Sequence, residues 1–263
     1  MQSFSKRVNI ARHSPLCLLI AVLIAKKLTT MVKRIDDNLK SIEEISEIWK
    51  ILTPEQLLYL KQNYGVLRFK KNEMVYAEGD VPTHMLCVVK GKVKIYKRGV
   101  GNRNQIMRMV GPSETFAYRA MFAGENYVTC ATAFEPTIIY TIPKEVIRNL
   151  ISHNAELAWY FIHTLSVDLG IADSRSVSLT QKHIRGRLAE SLLFLKDSYG
   201  LEEDQATIGI YLSREDLASL SNMTTSNAIR TLSSFVQEKI ITMDGRKIKI
   251  VDMEQLKRIS KIG

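Results

Sequence analysis

The sequence predicts an α+β fold in three parts: a β-rich domain over residues 31–152, one long helix over 153–182, and a helix-turn-helix with a following β-hairpin over 183–263. Three observations predict it. Between residues 66 and 142, short β-branched and aromatic runs recur with turn residues between them, the texture of a sandwich or barrel. Between 154 and 180 the chain has no proline and a single glycine, Gly170. Between 212 and 235, two helical periods flank a polar turn, and Asp244-Gly245 follows, the strongest short hairpin signal.

Residues 1–30 carry Lys6, Arg7, Arg12, Lys26 and Lys27 around an apolar run over 15–25, with a second Met at 31. That run matches a signal h-region in length and falls short of the ~20 residues of a membrane span. No small-x-small cleavage site follows it. These residues read as a leader or a mis-started extension, with export or tethering as the competing reading. No stable membrane association is expected, and the location expected is cytoplasmic.

In the β-rich domain, Ile42, Ile45 and Ile48-Trp49 recur at helical spacing, and Thr53-Pro54 restarts a helix with Thr as N-cap and Pro in its first turn. Strands are predicted over 74–77, 85–89, 93–96, 105–110, 127–133 and 137–142. In the long helix, Leu157, Phe161, Leu165, Leu169 and Ala172 form an apolar seam. It packs against the β domain or against a second copy. A further helix over 185–199 ends at Gly200, and a short strand is predicted over 208–211.

The helix-turn-helix is read residue by residue. Ser213 caps its first helix, Asp216 reaches back toward it, and Leu217 and Leu220 face inward. Met223 inserts at the turn. Thr224 caps the second helix, whose buried stripe is Ala228, Leu232 and Phe235. Thr225, Ser226, Asn227, Ile229, Arg230 and Ser233 are left outside, with no acid among them. Such a face, with the cap hydroxyls of Ser213 and Thr224 counted among the DNA contacts, suits the major groove, where Arg230 can pair bidentately with guanine. Ile229 either touches a thymine methyl or tucks under the helix. Backbone amides at Thr225 and Ser226 favour a phosphate. Arg246, Lys247 and Lys249 lie on or beside the hairpin turn, either as phosphate contacts or as a surface charge cluster.

Net charge is +10, but residues 183–263 hold twelve Lys and Arg against eleven Asp and Glu, a net of +1. Electrostatics therefore does not identify the reader; the motif does. Cys17, Cys87 and Cys130 are far apart, with no CxxC pair, which argues against a disulfide framework, a zinc ribbon and a four-cysteine iron–sulfur cluster. Ser/His/Asp, paired-carboxylate, P-loop and HExxH arrangements are missing, so no enzyme is expected.

The order of these parts resembles the CRP/FNR family of bacterial regulators over about residues 45–260. Local matches carry the resemblance: Glu78-Gly79-Asp80 to the family's EGD turn, Gly91-Lys92-Val93 to its G-x-V turn, and residues 212–218 to its LTRQDLA helix. The resemblance implies a cyclic-nucleotide-binding-like β-roll as sensor, a dimerisation helix, and a C-terminal winged helix-turn-helix. It further implies a homodimer on palindromic double-stranded DNA, with RNA polymerase as a partner. Activator action is one expectation; repression stays open. The rival reading is a ligand-binding sensor or scaffold module that does not read DNA.

Departures from the family pattern narrow the signal. The phosphate cassette F-G-E-x-A-L-x-x-G-x-x-R-S-A runs here over residues 116–129. Tyr118 replaces its ribose-binding Glu, Tyr127 its phosphate-binding Arg, and Val128 the neighbouring Ser; Arg119 and Thr129 flank them. A cyclic phosphate needs a charge-assisted partner, so no cyclic AMP binding is expected. The FNR cysteine group is missing, so no iron–sulfur cluster is expected either. Haem is the specific cofactor then suggested by the family, with nitric oxide as the signal and nitrosative stress as the setting. Its candidate axial ligands are His84, His153 and His163, with Met85, Met107 and Met109 as further candidates. At the reader, the Glu shared by CRP and FNR falls on Ser226, so the half-site should differ at one base pair, whereas Arg230 matches their shared Arg.

Overall fold

The computed structural model describes residues 39–99 and 104–262. The leader, Cys17 and most of the Gly99-Val100-Gly101 turn lie outside the described residues. Helix α1 (Ile42–Ile45), a 3-10 turn (Glu47–Ile51) and α2 (Pro54–Asn63) come first. Thr53 and Gln56 close a capping box at the start of α2, satisfying two of the donors that every helix start leaves orphaned.

Eight strands follow: β1 (Gly65–Phe69), β2 (Met74–Tyr76), β3 (His84–Lys90), β4 (Val93–Arg98), β5 (Asn104–Val110), β6 (Thr115–Phe116), β7 (Cys130–Ala133) and β8 (Thr137–Pro143). They form two antiparallel four-stranded sheets in the orders β1-β8-β3-β6 and β2-β7-β4-β5. Leu86 pairs with Thr141 in the first, and Val93 with Ala133 in the second. Val88, Val93, Val110, Phe116, Ala131 and Ile139 fill the space between them. Gly91 turns β3 into β4 at φ 86°, and a Cβ there would stand 2.5 Å from the Pro136 carbonyl oxygen. Only glycine fits that turn.

Helix α3 (Tyr118–Ala123) interrupts the roll, and α4 (Lys144–Ser152) leads into the long α5 (Ala155–Gln181). The Asn154 side chain caps α5, accepting from the Leu157 amide at 2.9 Å. Next come α6 (Ile184–Tyr199), α7 (Arg214–Leu220), α8 (Thr225–Gln237), the hairpin β9 (Ile241–Asp244) and β10 (Lys247–Ile250), and α9 (Met253–Ile262). Leu188, Leu192, Leu217, Leu232, Phe235 and Ile240 form the C-terminal core. Tyr96, Ile106, Met109 and Cys130, from the β2-β7-β4-β5 sheet, belong to that same cluster. The winged helix is thus packed on its own roll.

Several boundaries move. The strand expected over 127–133 begins at Cys130, because the EGD turn takes up Tyr127: Gly79 N donates to Tyr127 O at 2.8 Å and Tyr127 N to Asp80 O at 2.9 Å. The strand expected over 208–211 is replaced by isolated bridges, Leu201 to Ile208 and Thr207 to Lys249. Strands β1 and β6 and helices α3 and α9 had no sequence signal strong enough to be picked out.

The seam on α5 also changes. Leu157 and Phe161, 0% and 3% exposed, are buried in the chain's own core with Trp49, Tyr118 and Tyr140, and Leu165 packs against that core. Of the expected seam only Leu169, 63% exposed, and Ala172 stay open. The large apolar side chains left exposed on α5 are Trp159, Ile162, Val167, Leu169, Ile171, Val177 and Leu179. Among the described residues, no helix is long and apolar enough to cross a membrane.

Candidate nucleic-acid interface and sensor pocket

The reader is built by capping at both of its helices. Ser213 Oγ accepts the Asp216 amide at 3.0 Å and donates to the Asp216 carboxylate at 2.7 Å. That carboxylate also takes Lys94 Nζ of β4, at 2.7 Å. Ser213 is therefore occupied as a cap and faces the roll, lining a cavity with Lys94 and Asn104. It does not join the exposed reading face.

Thr224 Oγ1 accepts the Asn227 amide at 3.2 Å and starts α8. The turn before it places Asn222 at φ 49°, a conformation that Asn tolerates better than most residues. Ala228, Leu232 and Phe235 are fully buried, and Met223 packs against the same cluster. Thr225, Ser226, Ile229, Arg230 and Ser233 are exposed and Asn227 half-buried. Ile229, 48% exposed, does not tuck under the helix. The N-terminal end of α8 borders a cavity of about 360 Å³ shared with Gly99, Asn104 and Gln105 of the roll.

The wing is fastened to the reader by Arg214, which donates to the Gly245 carbonyl at 2.8 Å. Its cations are not equivalent. Lys247 lies 3.8 Å from Glu202 and 5.3 Å from the Tyr211 ring centroid, and Lys249 lies 3.2 Å from Asp204. Asp204 is held well below the usual carboxylate range, first by the Thr207 amide and hydroxyl. Arg246 is exposed at the turn, and neither it nor Arg230 makes an ion pair among the described residues.

On the sensor side, Tyr118 opens α3 and is buried. Its hydroxyl donates to Asp168 Oδ2 of α5 at 3.3 Å, and Arg108 of β5 donates to the same oxygen at 3.3 Å. Arg108 also lies 3.6 Å from Glu114. Tyr118 thus connects the roll to the long helix from the position of the ribose-binding Glu. Burial, with the Asp168 charge, pushes its hydroxyl up to about 12. Arg119, one residue on, is exposed and pairs with Glu125 at 2.7 Å.

Tyr127 stacks on Tyr76 with centroids 3.8 Å apart, and Tyr76 Oη lies 3.4 Å from Thr129 Oγ1. Burial, then Tyr76 and Asp80, pushes the Tyr127 hydroxyl upward, so it is a neutral phenol at physiological pH. Val128 is 44% exposed. Ala117 holds φ 69° where the cassette has glycine, at a cost of about 1 kcal/mol. Arg108 and Asp168 escaped sequence reading because they stand 60 residues apart in no recurring pattern.

The candidate haem ligands stand on several elements: His84 and Met85 on β3, Met107 and Met109 on β5, His153 after α4 and His163 on α5. His84 Nδ1 is bonded to Thr83 Oγ1 at 2.9 Å, and His153 Nδ1 donates to the Asn149 carbonyl at 2.9 Å, so Nε2 is the ring atom left for a ligand. His153 and His163 are exposed, as is Met107. Met85 and Met109 are buried in different clusters. None of the six lines the cavities at the hinge, the reader or the wing.

Comparisons with known proteins agree with both halves. Residues 66–154 match the Cyclic nucleotide-binding domain family, and residues 186–259 match the Crp-like helix-turn-helix domain family. The CRP-like cAMP-activated global transcriptional regulator of Mycobacterium tuberculosis (strain H37Rv) is 24% identical over 212 residues, 80% of this chain and 95% of that protein. The Global nitrogen regulator of Nostoc sp. is 22% identical over 185 residues, 69% of this chain and 83% of its own. The structure of FixK2 from Bradyrhizobium japonicum superposes with a TM-score of 0.68 at 20% identity, covering 74% of this chain and 96% of that one.

Proposed function

The chain belongs to the CRP/FNR family of DNA-binding transcription regulators, and from that premise we propose that two copies read a palindrome through α8 under control of an effector other than cyclic AMP. The observation that carries the reading is the outer face of α8. Thr225, Ser226, Asn227, Ile229 and Arg230 present hydroxyls, an amide, a methyl-bearing chain and a guanidinium, with no acid among them. Arg230 reads guanine, Ile229 meets a thymine methyl, and the hydroxyls take phosphates or base edges. Arg246 is the wing's phosphate contact. Lys247 must first leave Glu202 to serve as one.

Two-fold symmetry is supplied by the open side of α5 at Trp159, Ile162 and Leu169, with residues 153–182 as the dimerisation unit and 183–263 as the reader. The exclusion of cyclic AMP is supported by Tyr118, Tyr127 and Val128. The Tyr76–Tyr127 stack occupies the place of the missing Arg with a neutral surface, leaving a phosphate no charged partner. The test is a mobility-shift selection from random duplexes across a salt series. An enriched palindrome whose affinity falls steeply with salt is the expected result; binding without sequence preference would overturn the reader assignment.

A further inference from the structure

A cavity of about 480 Å³ lies where α5, α6, the end of α7 and β5 meet, a volume within the usual range of small-molecule sites. Its apolar wall includes Val167, Ile171, Phe194 and Leu220, and two guanidinium groups, Arg175 and Arg187, also line it.

The charges around this cavity are unevenly matched. Glu190 is already engaged by Ser178 at 3.1 Å and Lys182 at 3.3 Å, and Asp197 by Lys196 at 2.6 Å. Neither arginine has a carboxylate within ion-pair distance among the described residues. Arg175 donates to the Met107 carbonyl and lies 4.9 Å from the Phe194 ring centroid. Burial pulls its pKa below the ordinary guanidinium value, against the opposing pull of the Glu190 carboxylate. Arg187 donates to the carbonyls of Leu179 at 3.3 Å and Asn222 at 3.2 Å. Its Nε is buried with no hydrogen-bond partner, and a buried donor left unpaired is destabilising.

We propose that this cavity binds a small amphiphilic organic anion, its carboxylate, sulfonate or phosphate head held by Arg175 and Arg187 and its aryl or alkyl body held against Val167, Ile171 and Phe194. The site is separate from the roll position that the cyclic-nucleotide cassette would occupy. Its place gives it leverage. Arg175 stands on α5, while Arg187 ties the end of α5 to the helix-turn-helix turn through Leu179 and Asn222. An anion gripped by both arginines braces the reader against the long helix and restricts its swing.

The test uses the full chain without DNA, so its outcome is independent of the reader assignment. The probe is 8-anilinonaphthalene-1-sulfonate, titrated by fluorescence, with neutral N-phenyl-1-naphthylamine as control. One saturable sulfonate site per chain is expected. Arg175→Gln should weaken the sulfonate at least tenfold while leaving the neutral dye within twofold. Ser174→Phe, at an exposed position lining the cavity, should block both dyes and keep the circular dichroism of the wild type. If Arg175→Gln fails to fold, Arg187→Gln replaces it with the same expectation. Equal sulfonate affinity in wild type and both variants would place the dye elsewhere and overturn the site. Loss in Ser174→Phe without loss in the arginine variant would overturn the anion chemistry.

Discussion

Lys94 Nζ lies 2.7 Å from Asp216 Oδ1, joining β4 of the roll to the third residue of the reader's first helix. Both side chains are mostly covered, at 25% and 17% exposure, so this pair is screened less than a surface one. Asp216 also holds Ser213, so one carboxylate serves both the helix cap and the domain contact.

Lys94→Met is expected to destabilise the chain by about 1–3 kcal/mol, between the values for exposed and buried pairs. A double-mutant cycle with Asp216→Asn, read by urea unfolding, should return a coupling of about 1 kcal/mol or more. Additive effects would mean that the two side chains contribute separately.

Arg230 and Arg246 should fail in different ways. Arg230→Ala is expected to cost about 1–3 kcal/mol at one base pair and relax preference there, whereas Arg246→Ala should weaken all sequences alike and lower the salt slope by about one. Lys247→Ala should change the slope less, because Glu202 already neutralises it. Anisotropy across single-base variants of the selected site separates the three.

Calorimetry with cyclic AMP should show no binding heat at micromolar ligand; a micromolar affinity would overturn the reading of Tyr118 and Tyr127. Tyr127→Ala removes a ring stacked on Tyr76 and is expected to destabilise by about 3 kcal/mol, as aromatic-to-alanine changes in cores do. An unchanged unfolding midpoint would show that the stack contributes nothing.

The two sides of α5 make a paired prediction. Leu169→Glu should shift the chain from dimer to monomer in sedimentation without loss of helix content. Leu157→Ala, at a fully buried position, should cost about 2–5 kcal/mol of stability and leave the folded fraction dimeric. The opposite pattern would return the seam to Leu157 and Phe161.

Arg185 holds Glu238 with two hydrogen bonds at 2.7 Å. Those bonds, and then Ser234, lower the Glu238 pKa from 4.5 to about 2. A lowered carboxylate pKa means stability that is present above about 4.5 and lost as pH falls toward 2. The pair is more than a third exposed, so the effect is small. Glu238→Gln should flatten this part of the melting-temperature profile; an identical slope would rule out the linkage.

Local physics makes much of this chain legible from its residues alone. Ser213 and Thr224 cap because hydroxyls three residues before an amide satisfy it, and Ala228, Leu232 and Phe235 fall on one side of a helix by period alone. The Asp244-Gly245 turn likewise follows from backbone preference. What tertiary structure decided involves partners far apart in the chain: Lys94 with Asp216, Arg108 and Tyr118 with Asp168, Tyr76 with Tyr127, and Glu202 with Lys247. Helix α5 has apolar residues on two sides, and periodicity cannot say which one the roll covers. Packing assigned Leu157 and Phe161 to the core and left Trp159, Ile162 and Leu169 outside. The same folding brought Arg175 and Arg187 to one cavity, because only chain reversal at the hinge sets α5 against α6.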